Sequence, residues 1–574
     1  MSANYCFATV CFVPLDASAP KFFGFSEFLA GLALMVLAWT IADSRYRFRV
    51  MTAPLPLQGM TFAVVAALGI LTLLTDLWRA QAWLVPEGTI LPPAVWQAIL
   101  GVIFLLTFLA WAWFAFIRPA VYGKLNAERY AKTLYRIILR GFPSELAVIA
   151  DEFARSAKAL IRYATDRGEL ENFGAYRGRE TGPPKEAKKS RKVVGFANDI
   201  LLLIADKRFC RAIVGSSPRT ALAVFREIAE TKKYGVQVKT FAKNIVNEAL
   251  MNRDSFLFHE VEGYESGLIG YHKPLSQAMF SNHSMVETIG TLLEPDIGNN
   301  GNWDAAQWKA YCRIVLMSFR DYVEKGDFWS HSFVLFRAKG YIARAAVDVY
   351  KINGIANTAY DNDVLQRLDV VVEFIKDAVE ILDKKGTPKG LQLRLREKHL
   401  PMEETFYDHL ASMIVEVIFS ASAVDSPADL CWRVQRNSVW GELFNFHRLD
   451  GAAGKVVKFK VRRLIYDEIA RVKPFPDFRV ARTLAFCLNV MGLTASDKRY
   501  DKDSRALHQA ILSLVKKNYA WLHSYNRRVA EACLVDGITY DAEKLRLVKT
   551  YPADGLRPEP RYVYFNVDRP SART

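Results

Sequence analysis

The amino-acid sequence predicts an all-α protein: three N-terminal transmembrane helices followed by a large, mainly α-helical cytoplasmic region. Three observations carry this. The first fifth of the 574 residues holds long runs almost without charge, the rest repeats apolar residues at three- and four-residue intervals, and alternating apolar-polar runs are short and rare.

The charge-free runs come first in the chain. Phe22–Ala42 contains one ionisable residue, Glu27, and Val50–Thr75 and Gly88–Ile117 contain no Asp, Glu, Lys or Arg. A helix of about 20 apolar residues crosses the hydrocarbon core of a bilayer. Backbone groups in lipid must satisfy one another, so such runs are helices. The spans are expected near 22–42, 59–77 and 96–117, within a membrane anchor covering 1–117. Their central turns carry no ionisable group. Glu27 and Asp76 fall near one boundary, at the interface or in a pairing between spans. Six tryptophans (Trp39, Trp78, Trp83, Trp96, Trp111, Trp113) lie in this region, mostly near span ends, where indoles favour the interface.

Charge orients the anchor. The connection Asp43–Arg49 (DSRYRFR) carries Arg45, Arg47 and Arg49, and Arg118, Lys124 and Arg129 follow the third span. With three spans both basic stretches share one side, the cytoplasmic side by the positive-inside rule. The N-terminus is then outside, and the protein is expected in the inner (plasma) membrane with anionic inner-leaflet lipids as partners of these six cations. No basic segment precedes Lys21, so the first span is expected to stay as an anchor. Cys6 and Cys11, on the outer side, are either a disulfide pair or two apolar residues.

Residues 1–117 balance five basic against five acidic residues, so the whole net charge of +16 belongs to the remainder. Segment 118–192, of net charge +8, reads as basic juxtamembrane helices over 124–140 and 144–164, then a Gly-, Pro- and charge-rich linker over 167–192. A helical domain is expected over 193–430 and a basic helical region over 431–574, with helices at 193–214, 218–232, 236–258, 304–324, 327–351, 361–385, 403–421, 428–446, 455–472 and 505–525. Ser217 and Pro218 form a helix-start signal. The proline-interrupted end, 557–574, reads as a tail or one short strand. The scattered Cys210, Cys312, Cys431, Cys487 and Cys533 show no metal spacing and read as buried, reduced thiols; no cofactor or metal is expected.

Four stretches invite a chemical reading. Gly451-Ala-Ala-Gly454-Lys455-Val456 resembles a phosphate loop but lacks its first glycine and its Ser/Thr, and reads as a loop before a helix. The non-periodic stretch Arg253–Asp304 gathers His259, His272 and His283 with Glu260, Glu262 and Glu265. His259 and Glu262, three apart, share a helical face as an acid/base pair requires, so Arg253, His259, Glu262 and His272 are the candidate catalytic residues. Arg253–His259 and Arg394–His399 also resemble the R-x(4–6)-H pattern of HEPN-type ribonucleases, although a chain with this many Arg and His carries about two such matches by chance. Lys455, Lys458, Lys460, Arg462 and Arg463, with Phe459 interleaved, are a candidate nucleic-acid surface; a solvated helix face or an inner-leaflet contact explains them as well.

The first expectation for function is a membrane-anchored helical sensor, effector or interaction module. The alternatives are a membrane-tethered enzyme acting on nucleic acid and a homo-oligomeric pore gated by the cytoplasmic region.

Overall fold

In the computed structural model the apolar runs are helices, as lipid-compatible backbone requires. The structure describes residues 5–7, 10–15, 21–41, 43–86, 92–166, 185–262, 273–296, 303–326, 331–355, 362–386, 405–445, 449–494, 502–553 and 558–569. The fold is mainly helical, and the chain divides into two compact units, Met1–Ile245 and Val246–Thr574.

In the first unit, helix Leu57–Ala80 and helix Pro93–Ala112, continued with a wider turn over Trp113–Ile117, are each long and apolar enough to cross a membrane. Helix Phe25–Ile41 has 17 residues. It meets the following helix, Ser44–Met51, at a bend of 107°. The bend follows from the sequence. Asp43 accepts a hydrogen bond from the Ser44 amide at 2.6 Å and starts a new helix that carries three arginines in place of the preceding apolar run. Phe28, Met35, Val65, Leu68 and Leu100 form the core among the three long helices. Gly31 and Gly69 make it possible: a Cβ on either would fall 2.7 or 2.9 Å from the rings of Phe104 and Phe28. Small residues bring membrane helices close in this way.

At one end of these helices lies a three-stranded antiparallel sheet absent from the sequence-based expectation. Tyr5–Phe7 pairs with Val10–Pro14, placing Cys6 opposite Cys11, and Val10–Pro14 pairs with Leu84–Pro86. The same end is tied by Asp76, which accepts hydrogen bonds from Lys21 (3.0 Å) and the Phe25 amide (2.9 Å), while Glu27 accepts from the Gly24 amide at the start of its own helix. Both acids therefore sit at ends of the apolar helices, and Asp76 also joins two of them.

At the other end follow helices Ala127–Arg140, Pro143–Tyr163, Lys185–Leu203, Lys207–Ser216 and Pro218–Thr231. The expected single helix over 193–214 is broken before Lys207. Asp206 stops it by accepting from the amides of Arg208 and Phe209. Residues 185–192, read as linker, are helical; 167–184 lie outside the described residues. Ser217 and Pro218 start a helix as the sequence predicts.

In the second unit, Asp363–Lys385 packs on Ala305–Glu324 and on Ala452–Ala470. Helix Phe406–Ser422 packs on Ala452–Ala470 and Phe478–Met491. Phe478–Met491 was not expected: its residues Val480, Ala481 and Thr483–Met491 are all buried, so no polar face marks the period. The described residues of the irregular stretch 253–304 carry three seven-residue helices, Phe256–Glu262, Pro274–Phe280 and His283–Ile289, each too short to show periodicity. Ile538–Asp541, Arg546–Tyr551 and Arg561–Asn566 form an antiparallel meander, of which the last is the one short strand that 557–574 allowed and the first two were not expected.

Gly451 is the N-cap of Ala452–Ala470, so the phosphate-loop-like stretch is a helix start. A Cβ on Gly454 would lie 2.2 Å from the carbonyl oxygen of Leu449, whereas one on Gly195 meets nothing within 4 Å. Gly454→Ala is therefore expected to lower the unfolding midpoint, and Gly195→Ala to raise stability by about 0.5–1 kcal/mol, both read by thermal unfolding of the detergent-solubilised protein.

Candidate functional site

The most constructed polar site joins the apolar helices to the basic helices that follow. Arg49, in the short helix Ser44–Met51, is buried, and so is Glu152, in the middle of Pro143–Tyr163. The Arg49 guanidinium donates to both carboxylate oxygens of Glu152, from Nε at 2.8 Å and Nη2 at 2.6 Å, and its Nη1 donates to the carbonyl oxygen of Ala115 at 3.1 Å. That carbonyl belongs to the wide-turn segment Trp113–Ile117. One side chain thus binds three segments, in the two-pronged geometry that makes Arg–carboxylate pairs strong and directional.

Neighbouring groups extend the joint. Arg45 reaches Asp151 at 3.2 Å, and the Asn126 amide donates to the carbonyls of Thr52 (2.7 Å) and Val121 (3.0 Å). Arg129 donates to the carbonyl of Pro54. The Tyr122 hydroxyl donates to the carbonyl of Val193, and the Tyr122 amide to Ser156. Of the six cations read as membrane-facing, Arg49 is thus buried in an ion pair and Arg45 and Arg129 are held by protein groups. Arg47, Arg118 and Lys124 are exposed. The sequence marks Arg49 only as one of three arginines, and Glu152 stands out in no pattern; its position on an otherwise apolar helix face was the available signal.

Arg253 is exposed and pairs with Asp304, the N-cap of Ala305–Glu324. His259 and Glu262 both lie on helix Phe256–Glu262, His259 partly buried and Glu262 exposed, and His272 lies outside the described residues. The buried carboxylate of this stretch is Glu260, which accepts from the amides of Leu275 (3.0 Å) and Ser276 (2.6 Å) and so caps Pro274–Phe280. His283 is buried, with Nδ1 3.2 Å from the Ser318 hydroxyl and Nε2 3.8 Å from Glu287. Although this row resembles a nucleophile–base–acid chain, Ser318 has no exposed surface, so no substrate reaches it. No group of three or more His, Cys, Asp or Glu able to hold a metal occurs among the described residues. Arg394–His399 lies outside them.

The candidate nucleic-acid surface is divided by burial. On Ala452–Ala470, Lys458 and Arg462 are buried, with Lys458 bound to Asp450 (2.9 Å), and Lys460 is bound to Asp408. Lys455 and Arg463 remain exposed, the latter 3.3 Å from Asp467. Three of the five cations thus face inward, and Lys458 and Lys460 tie their helix to other segments. Burial pushes the Asp408 carboxyl up, but hydrogen bonds from Lys460 and Thr405 outweigh it and hold it below the usual carboxylate range. The thiols of Cys431, Cys487 and Cys533 are buried and pushed up to about 12, which makes them inert at neutral pH.

Comparison with known protein families and with curated proteins finds no match to this chain.

Removing one partner of a buried ion pair leaves an uncompensated charge, so Glu152→Ala is expected to cost about 3–5 kcal/mol. The double variant Arg49→Met/Glu152→Leu is expected to recover most of it, and thermal unfolding of the four proteins measures the cycle. A carboxyl whose folded pKa is depressed stabilises above its unfolded pKa and loses that contribution as pH falls through the folded value. Asp408→Asn is therefore expected to lower stability at pH 7 and to flatten the acid limb of a midpoint-against-pH curve.

Proposed function

We propose that the chain is a three-span membrane protein, N-terminus outside, that fixes a helical interaction or effector module to the cytoplasmic face of the membrane. The observation that supports it best is a pair of hydrogen-bonded joints at opposite ends of the apolar helices. Val10–Pro14 pairs with Leu84–Pro86, and Arg49 pairs with Glu152. Segments that hydrogen-bond directly share one side of a bilayer. Between Pro14 and Leu84, and again between Arg49 and Glu152, the chain then crosses an even number of times. Leu57–Ala80 lies in both intervals, Phe25–Ile41 only in the first and Pro93–Ile117 only in the second. If Leu57–Ala80 crosses, the other two cross with it. At 17 residues Phe25–Ile41 rises about 26 Å, a shortfall that local thinning of the bilayer accommodates.

The basic side is the cytoplasmic side. Helix Ala127–Arg140 fits an inner-leaflet surface: Tyr135, Arg136, Leu139 and Arg140, followed by Phe142, are exposed together. Cations at such a surface contribute about 1 kcal/mol each toward anionic lipid. The polar clusters of the second unit that are buried or paired, Glu260 with Ser276, His283 with Ser318 and Lys376 with Glu442, join helices, which suits a module that works through its surface. The nuclease alternative gains no support from Arg253, whose guanidinium is engaged by Asp304.

Cysteine labelling in cells tests the topology. In a background with Cys6 and Cys11 changed to Ser, Gln81→Cys is expected to react with a membrane-impermeant maleimide in intact cells, and Glu128→Cys only after permeabilisation. Equal labelling of both before permeabilisation overturns the reading.

A further inference from the structure

The ends of the three apolar helices and the bent helix Ser44–Met51 line an open cavity of about 590 Å³, within the usual range for small-ligand sites. Trp39 stands at the end of Phe25–Ile41, Gly59 and Phe62 near the start of Leu57–Ala80, and Trp111 near the end of Pro93–Ala112, with Met51 and Arg47 contributed by the bent helix. The walls are therefore mainly aromatic and apolar, with the Arg47 guanidinium as their charge and Tyr46, Gln58 and Thr61 as their other polar residues.

The cation of this lining has no protein partner among the described residues. Arg45 and Arg49 hold Asp151 and Glu152, but between them the exposed Arg47 guanidinium makes no hydrogen bond or ion pair among the described residues. The wall also has room: a Cβ on Gly59 would meet nothing within 4 Å.

We propose that this cavity holds one anionic phospholipid drawn from the surrounding leaflet, its acyl chain against Trp39, Phe62 and Trp111 and its phosphate on Arg47. The inference rests on the membrane reading above. It goes further in assigning a stoichiometric site in place of diffuse surface attraction. The charge selects an anionic headgroup, the apolar walls select a chain, and the position at the basic ends of the helices selects the cytoplasmic leaflet as the source.

The test is native mass spectrometry of the full-length protein, purified in a non-ionic detergent, stripped of lipid and titrated with phosphatidylglycerol or phosphatidylcholine. One phosphatidylglycerol per chain is expected, in preference to phosphatidylcholine. Arg47→Ala is expected to weaken phosphatidylglycerol binding about tenfold, as loss of a charged hydrogen bond does, with phosphatidylcholine binding unchanged. Gly59→Leu, which fills the cavity, is expected to abolish binding of both with no fall in the unfolding midpoint. Wild-type protein that retains no lipid, a preference that survives Arg47→Ala, or binding that survives Gly59→Leu overturns the proposal. A parallel carbonate wash of membranes separates the two readings. Protein that stays in the pellet yet binds no lipid defeats the cavity alone, and protein released by the wash defeats the membrane reading itself.

Discussion

The hydrogen-bonded pair of Arg49 and Glu152 is the constraint on which the first unit depends. A carboxylate in the middle of a helix face otherwise built from Leu146, Ile149, Phe153 and Leu160 meets Arg155 of its own helix at 3.9 Å, too far for a hydrogen bond, so the bonds to its two oxygens come from Arg49. It obliges that helix to dock where Arg49 is presented, and the presentation requires the chain to turn sharply after Ile41. The Asp43 cap, the bend, the wide turn that turns the Ala115 carbonyl toward the guanidinium and the Asn126 bridge to Thr52 are conditions for one contact. Net stabilisation by such a pair is small because desolvation offsets attraction; its larger effect is to exclude other docking arrangements.

The two ends of the apolar helices are secured by different means. At the basic end the fastening is ionic and buried. At the other end it is a short sheet and the capping of helix starts by Asp76 and Glu27. Neither end places an ionisable group in the middle of the helices, where its desolvation would be most expensive. The apolar segment consequently has a plain middle and two specified ends.

Much of this was legible in the sequence. The apolar runs, the basic connections and the Ser217–Pro218 helix start are local signals, and each appears where the residues put it. The small sheet was not legible, because Leu84–Pro86 is three residues long and its partner lies far off in sequence. Helix Phe478–Met491 escaped because complete burial removes the polar half of the period. Candidate sites were least legible. The lysines and arginines of Ala452–Ala470 look like one basic run in the sequence, yet Lys458, Lys460 and Arg462 turn inward and only Lys455 and Arg463 stay out. A charge count carries no facing information, and the partners that turn them, Asp408 and Asp450, belong to other segments. Similarly, Glu260 and Glu262 differ by two positions, and only the fold shows that the first is the buried cap.

The sheet that joins Tyr5–Pro14 to Leu84–Pro86 also has a meaning for biosynthesis. Its central strand is made early and its last strand only after two long helices have been translated. Until Pro86 emerges, Val10–Pro14 presents an open hydrogen-bonding edge that other strands can occupy. Completing the sheet is thus a late event that records the arrival of the loop beside the N-terminal hairpin, and a chain that halts before that loop keeps an adhesive edge at its beginning.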